Sequence, residues 1–136
     1  MELLRITRAR DRLTCAPPAA PVDPSTLVGT WINYLPATRG IHRVVVDRAP
    51  GRLTVRIFGA GEPEPVDWGA APLDAFAGDV ASVEAVACKA VYEFAASRTA
   101  LLCYLNKRLL VVDAYTTFHD GSGRASCFSR DHFYLQ

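Results

Sequence analysis

The sequence has almost no net charge and lacks any long apolar run. Its 15 basic and 14 acidic residues leave a formal charge of +1, which provides no field to attract a phosphate backbone or an anionic membrane surface. No apolar run approaches the roughly 20 residues that cross a bilayer. We therefore expect neither nucleic acid nor a membrane as a partner.

The first twenty residues, MELLRITRARDRLTCAPPAA, lack the apolar stretch of a secretory signal, because arginines interrupt them. This predicts a cytoplasmic protein. The following stretch APPAAPVDPS is too rich in proline for a helix or a central strand. Residues 1–26 are therefore predicted to form a flexible N-terminal arm and residues 27–136 a single domain, since a chain of this length supports one buried core.

Cysteine and histidine are too few and too scattered to indicate a metal site or a disulfide framework. The cysteines are Cys15, Cys88, Cys103 and Cys127, and the histidines are His42, His119 and His132. They show no CxxC, HxH or HExxH spacing. We expect free, buried thiols and no metal. A glycine-rich phosphate loop and a dinucleotide fingerprint are also missing, so no cofactor is expected.

What the sequence does contain, from Leu27 onward, is a succession of β-branched and aromatic runs separated by Gly, Pro, Asn and Asp, which is typical of meandering strands. Strands are predicted at 28–34, 41–48, 53–59, 84–96, 99–105, 108–118 and 125–135, with a further strand or short helix between Pro65 and Phe76. Seven or eight strands leave little room for crossover helices. The predicted fold is all-β, a small antiparallel up-and-down barrel, because closure removes exposed edges. A β-sandwich is the alternative.

A short motif opens the first predicted strand, Gly29-Thr30-Trp31 in LVGTWINYL. It resembles the GxW motif at the start of lipocalins and other calycins. That resemblance implies a lipocalin-like barrel in which Trp31 closes one end and an arginine from the last strand packs over it, a role open to Arg130.

The same strand is also similar to the first strand of avidins, in which an asparagine at the position of Asn33 reaches the ligand. The sequence has no TDY-type second lipocalin motif, and two tryptophans are too few for the aromatic box that avidins build around biotin. Biotin binding is therefore not expected.

Predicted turns at Gly121 and Ser122, at Asn106 and Lys107, and at Ser97 and Arg98 set the register of the last four strands, and register decides which side chains share a face. The first of these turns pairs Asp113 with Arg130 and Tyr115 with Phe128. One face then carries Val91, Glu93, Leu102, Tyr104, Val111, Asp113, Tyr115, Phe128, Arg130 and His132. The other face carries Tyr92, Phe94, Leu101, Cys103, Leu105, Leu110, Val112, Ala114 and Phe133.

If Trp31 points inward, we expect the polar face to line the interior beside it. A desolvated Glu93 would then have a raised pKa and serve as a general acid or base, while tyrosine hydroxyls stabilise developing charge on a substrate oxygen. The predicted catalytic residues are Glu93, Asp113, Tyr115 and His132. The predicted ligand-binding residues are Trp31, Asn33, Tyr104, Phe128 and Arg130.

The predicted function is the binding of a small apolar or aromatic molecule inside the barrel, with a cofactor-free cyclase or isomerase of bacterial secondary metabolism as its catalytic form. The alternatives are a non-catalytic carrier or sensor, and a structural subunit that binds a protein partner through an apolar outer wall. With the polar face inside, the apolar face with Phe94, Leu101, Leu105, Leu110 and Val112 would be exposed on a monomer, which predicts a homodimer that covers it. If the register is inverted, the apolar set is the core and the polar set is solvated surface.

Overall fold

Short turns divide residues 21–136, the part of the chain that the computed structural model describes, into nine antiparallel strands. The strands are β1 (Gly29–Asn33), β2 (Ile41–Ala49), β3 (Arg52–Gly59), β4 (Val66–Pro72), β5 (Asp74–Ala77), β6 (Ala85–Glu93), β7 (Ser97–Asn106), β8 (Leu109–Phe118) and β9 (Cys127–Leu135). The predicted strands are all present, and the uncertain segment between Pro65 and Phe76 contains β4 and most of β5, which ends at Ala77. This described part of the chain has no helix long and apolar enough to cross a membrane.

The sheet curves into a nearly closed up-and-down barrel. Its strand order is β4-β3-β2-β1-β9-β8-β7-β6-β5, so the two outermost strands are β4 and β5, which adjoin in sequence around Leu73. β4 pairs with β3 and β5 pairs with β6, and one bent segment therefore connects both edges. The predicted barrel is confirmed. It has nine strands rather than seven or eight, because the segment around Leu73 pairs with β3 before this residue and with β6 after it.

Tyr92 bridges the seam that remains between β4 and the second half of β6. Its hydroxyl lies 2.7 Å from the carbonyl oxygen of Gly69 in β4 and 3.2 Å from that of Val55 in β3. The ring is buried. The one hydroxyl proton of this β6 side chain thus lies within reach of backbone acceptors on two strands that β6 does not pair with.

Trp31 closes one end of the barrel, where its side chain is 2% exposed. Its indole Nε1 donates a hydrogen bond to the carbonyl oxygen of Leu27 at 2.8 Å, and Leu27 is itself fully buried. The interior placement expected for Trp31 is confirmed. We call this the plugged end.

Residues 21–26, assigned to the arm on sequence grounds, contact the barrel at the plugged end. Asp23 forms an isolated parallel bridge with Glu84, and the Thr26 hydroxyl donates to the carbonyl oxygen of Ala85 at 2.6 Å. The rest of the predicted arm, including Cys15, lies outside the described residues.

The connections differ between the two ends of the barrel. Residues 34–40, 60–65, 94–96 and 119–126 join strands at the end opposite Trp31, which we call the mouth. At the plugged end, two of the connections are tight turns of residues 50–51 and 107–108. Three of the longer connections, residues 34–40, 60–65 and 119–126, therefore lie at the mouth, and one, residues 78–84, lies at the plugged end.

The predicted pairs Asp113 with Arg130 and Tyr115 with Phe128 are confirmed. The other two turns are displaced. The β7–β8 turn is formed by Lys107 and Arg108, both with positive φ (50° and 67°), instead of by Asn106 and Lys107. This lets Leu105 lie opposite Leu110, and cross-strand packing of these apolar side chains outweighs the preference of asparagine for a left-handed conformation.

The β6–β7 hairpin likewise turns at residues 95–96, so Glu93 pairs with Arg98 instead of Leu102. Both displacements change the register by an even number of residues. Because side chains alternate between the two faces of a strand, an even shift leaves each residue on its predicted face. The two predicted sets of face-sharing residues are therefore correct.

The face assigned to the interior is nevertheless wrong. The apolar face that was expected to be exposed and to form a dimer interface is instead the hydrophobic core. This core contains Tyr92, Leu101, Cys103, Leu110, Val112, Ala114 and Phe133, together with Trp31. The residues expected inside lie on the outer wall: Glu93, Tyr104, Asp113, Tyr115, Phe128, Arg130 and His132. The physical reason is desolvation, because enclosing several charged groups costs far more than enclosing a uniformly apolar set.

Two of the cysteines face each other across β6 and β7 inside the barrel. Cys88 and Cys103 are directly paired and both are buried. A hydrogen bond with the Cys88 thiol, together with burial, raises the pKa of the Cys103 thiol well above its ordinary value, so it stays protonated and unreactive. Cys127 departs from the expectation of burial and is exposed.

Candidate functional site

The mouth of the barrel contains a cavity of about 210 Å³. It lies beyond the buried core, between the first residues of β2 and β7 and the last residues of β3 and β8. The side chains and backbone around it belong to Arg39, Gly40, Ile41, Gly59, Ala60, Trp68, Thr99, Ala114, Thr116 and Ser129. The interior of the barrel is thus closed by Trp31 at one end and opens on this cavity at the other, while a wider surface groove of about 720 Å³ borders the 50–51 turn and the bent segment around Leu73.

Aromatic rings form one side of the mouth. The Trp68 ring contacts Tyr92 and Phe94 edge to face, with centroids 5.5 and 5.3 Å apart, and the Tyr92 and Phe94 rings stack at 5.9 Å. Gly59 makes this position of Trp68 possible, because a Cβ atom there would lie 2.7 Å from the indole Nε1. The cluster fixes the Trp68 ring at the cavity wall.

Hydroxyl groups form another side of the mouth. Thr99 and Thr116 are directly paired in β7 and β8, and their Oγ1 atoms are 2.9 Å apart in a hydrogen bond. Thr99 is buried, and the exposed Ser129 adds a third hydroxyl to the lining. A hydroxyl both donates and accepts, so this side can bind a carbonyl, amide or hydroxyl group of a molecule whose ring contacts Trp68.

Burial raises the pKa of the Tyr92 hydroxyl to about 12, from an ordinary value of about 10. In the unfolded chain the phenol ionises first, so its contribution to stability is complete below about pH 10 and is lost as the pH rises through about 12. We expect the free energy of unfolding to fall more steeply over this interval in the wild type than in Tyr92→Phe. Urea unfolding between pH 9 and 12 measures this, and parallel curves for the two proteins would contradict it.

On the outer wall, the Arg130 guanidinium donates two parallel hydrogen bonds to the Asp113 carboxylate, at 2.7 and 2.8 Å. The Asp113 side chain is 10% exposed and that of Arg130 50%. The hydrogen bond from Arg130 lowers the pKa of Asp113, and the pKa of Arg130 is raised in return. This bidentate pair holds β8 to β9. Arg130 does not pack over Trp31, since the two side chains lie on opposite faces of the sheet.

Other predicted site residues surround this ion pair on the outer wall. The Tyr115 and Phe128 rings pack with centroids 5.1 Å apart, and Tyr104 and His132 flank Val111 in the adjacent row. Part of the wall borders an open groove of about 390 Å³, lined by Asn33, Tyr34, Leu35, Leu109, Arg130, Asp131 and His132. The sequence therefore predicted a real cluster, on the wrong side of the sheet.

Glu93 lies apart from the cluster. Its side chain is 61% exposed and forms an ion pair with Arg98 at 3.0 Å. Glu93 is therefore in contact with solvent and not in the enclosed site that the acid-base hypothesis required.

Asn33 is buried, but its amide group is used within the structure. Its Nδ2 donates to the carbonyl oxygen of Ile41, and its Oδ1 accepts a hydrogen bond from the backbone amide of Leu35, both at 2.8 Å. These bonds hold the 34–40 connection at the mouth. The position that resembles an avidin ligand contact thus has a structural role here.

The residues of the mouth that sequence reasoning missed are Trp68, Thr99 and Thr116. The sequence contained one signal for this site, the apolar face of the last four strands that includes Tyr92 and Phe94. Placing that face inside the barrel brings these two rings into contact with Trp68. Across residues 21–136, no cluster of three or more His, Cys, Asp or Glu side chains could hold a metal ion. Comparison with family models, curated proteins and solved structures finds no match to this chain.

Proposed function

We propose that this barrel binds a small aromatic molecule at its mouth and does not transform it. The observation that carries this proposal is the difference between the two ends. Trp31 and Leu27 fill one end, whereas the other end opens on a cavity that places the Trp68 ring beside the hydroxyls of Thr99 and Thr116.

The size of the cavity limits the class of ligand. Sites for drug-sized molecules are typically about 300 to 1,000 Å³, and the mouth cavity of about 210 Å³ is smaller. A single ring with one polar substituent matches this space. Its ring would pack edge to face or offset on Trp68, an arrangement that contributes roughly 0.5 to 1.5 kcal/mol beyond area burial.

The chemistry of the lining supports binding over catalysis. Of the described residues around the cavity, none is a carboxylate or a histidine, and the one charged residue, Arg39, lies exposed at the rim. Threonine and serine hydroxyls orient a ligand by hydrogen bonding but do not exchange protons near neutral pH without an adjacent base. The cyclase or isomerase activity stays an untested prediction, and the general acid it required at Glu93 is on the outer wall.

We expect benzamide to bind at the mouth with a dissociation constant in the millimolar range, about 4 kcal/mol of binding free energy. Cyclohexanecarboxamide should bind about 2- to 10-fold more weakly, because it keeps the amide but loses the aromatic contact. Titration followed by ¹H–¹⁵N NMR checks both, with the largest shifts at the Trp68 indole and the Thr99 amide. Shifts confined to residues outside the mouth would contradict the proposal.

A matched pair of variants completes this experiment. Ser129→Trp fills the mouth from an exposed position, whereas Ser126→Trp adds the same bulk on an exposed residue outside the cavity lining. The first should abolish the shifts caused by benzamide and the second should leave them unchanged. Equal binding by the two variants would place the ligand elsewhere.

A further inference from the structure

We infer that the ligand of the mouth is an arylalkylamine, a single ring that carries an ammonium group, and that the Asp131 carboxylate binds this group. This ligand class rests on the proposed binding at the mouth. It adds a charged contact to the aromatic and hydroxyl contacts described above, and it makes Asp131 the residue that determines specificity.

The register of β9 places Asp131 on the inner face of the barrel. Ser129, two residues before it, lines the mouth cavity, and Phe133, two residues after it, is fully buried in the core. The pairing of β8 with β9 contains no register shift, and side chains alternate between the two faces of a strand. Asp131 therefore points to the same side as both residues, about 7 Å deeper in the barrel than Ser129.

The surroundings of Asp131 are apolar on one side and open on the other. Its partner on β8 is Val112, which is 1% exposed. Its Oδ2 atom lies 3.6 Å from the position that a Cβ atom on Gly40 would have, and Gly40 lines the mouth cavity. Asp131 also lines the open groove of about 390 Å³. The carboxylate is thus partly buried and adjoins both the cavity and the groove.

Within residues 21–136, no basic side chain forms an ion pair with Asp131. Its neighbours in the chain, Arg130 and His132, lie on the outer wall, where Arg130 binds Asp113. Arg39 is exposed at the rim of the mouth. The acidic residues in the described ion pairs are Asp23, Asp67, Glu93, Asp113 and Asp120. A partly buried carboxylate without a cation is costly, and a ligand that supplies the cation offsets this cost.

An ammonium group matches the acceptors at this position. It has three donors and no acceptor. One donor can bind the Asp131 carboxylate and another the hydroxyl of Ser129, while the ring of the ligand packs on Trp68. An anionic substituent would instead be repelled by Asp131. The arrangement therefore favours a cationic ring compound over a neutral or an anionic one.

Three compounds with one ring and similar length test this ligand class on the full chain: phenethylamine, phenethyl alcohol and hydrocinnamate. We expect the amine to bind about 10-fold more tightly than the neutral alcohol, because hydrogen bonds between charged groups are the stronger ones. The anionic hydrocinnamate should bind most weakly. Titration at neutral pH and constant ionic strength, followed by ¹H–¹⁵N NMR at the Trp68 indole, measures all three dissociation constants. Equal affinity for the amine and the alcohol, or tighter binding of hydrocinnamate, would overturn the inference.

A matched pair of variants assigns the effect to one carboxylate. Asp131→Asn should lower the affinity for phenethylamine about 10-fold and leave that for phenethyl alcohol unchanged, since only the charged contact is lost. Retained binding of the alcohol also shows that the variant is folded and its mouth intact. Asp47→Asn removes the same charge from an exposed position of β2 outside the cavity lining and should change neither affinity. If the two variants bind the amine equally, Asp131 does not select the ligand.

Failure of the mouth site itself gives a different result. If neither benzamide nor phenethyl alcohol shifts the Trp68 indole, rings do not bind at the mouth, and the proposed function and the ligand class are both wrong. If these neutral compounds bind there but the amine has no advantage that Asp131→Asn removes, only the ligand class is wrong.

Discussion

Trp31→Ala is expected to lower the free energy of unfolding by about 3 to 5 kcal/mol. The indole is 2% exposed and fills the plugged end. Its removal leaves a cavity beneath Leu27, and the Leu27 carbonyl loses the hydrogen bond from Nε1. Because small domains have a total stability of about 5 to 15 kcal/mol, this single change removes a large part of it.

Urea denaturation of the wild type and the variant at neutral pH measures the difference. Trp31→Phe is the matched control, since it keeps an aromatic ring at the plugged end but removes the Nε1 donor. Its loss should be smaller, about 1 to 2 kcal/mol. A loss below about 1 kcal/mol for the alanine variant would mean that Trp31 does not close the barrel.

Tyr92→Ala is expected to have the second largest effect, a loss of about 3 kcal/mol or more. It removes a buried ring from the aromatic cluster with Trp68 and Phe94. It also removes the hydroxyl that bridges the seam to the carbonyl oxygens of Gly69 and Val55. Both effects weaken the only side-chain hydrogen bonding described across this seam of the barrel.

Tyr92→Phe separates the two contributions, because it keeps the ring and leaves the carbonyls without their donor, at a cost of about 1 to 2 kcal/mol. Tyr34→Ala serves as the exposure control, since Tyr34 is 70% exposed and its loss should be below about 1 kcal/mol. Urea denaturation again provides the measurement. If Tyr92→Ala costs no more than Tyr34→Ala, the seam is held by other contacts.

The sequence predicted the fold because strand signals are local. Alternating apolar residues and Gly, Pro, Asn and Asp at the turns predicted seven of the nine strands and left the segment of β4 and β5 open between a strand and a short helix. The turn after β8 gave the pairing of Asp113 with Arg130. The two displaced turns still left each side chain on its predicted face of the sheet. Both displacements shift the register by an even number of residues, and the side-chain repeat of a strand is two residues. These features depend on residues close together in the chain.

The side of the sheet that faces inward could not be obtained in the same way. It depends on the pairing of β1 with β9, which places Asn33 opposite Phe133 and joins residues about a hundred positions apart. No turn connects these strands, so no local signal links Trp31 to either face of β9. In addition, both faces of β7 and β8 carry large apolar side chains, such as Leu101 inside and Leu102 outside, which weakens the distinction between core and surface.

The candidate mouth was missed for a related reason. Thr99 and Thr116 meet within the β7–β8 hairpin, but Trp68, on the bent segment around Leu73, comes beside them only once the barrel closes. The position of that segment is set by its pairing with β3 and β6 together. Pairing between strands that are distant in sequence depends on the whole chain, so the residue spacing within one segment does not predict it.

Most of the longer connections lie at the mouth. The loop segments whose sequence can vary are therefore separate from the strand segments that form the core. Residues 34–40, 60–65 and 119–126 contribute no side chain to the core cluster or the Trp31 plug, and changes in the length of surface loops add little entropic cost. Exchanging these loops would change which ligands the cavity binds, while the barrel folds as before. The protein is therefore a suitable scaffold for loop libraries, in which the plugged end is kept constant and variants that bind new ligands are selected.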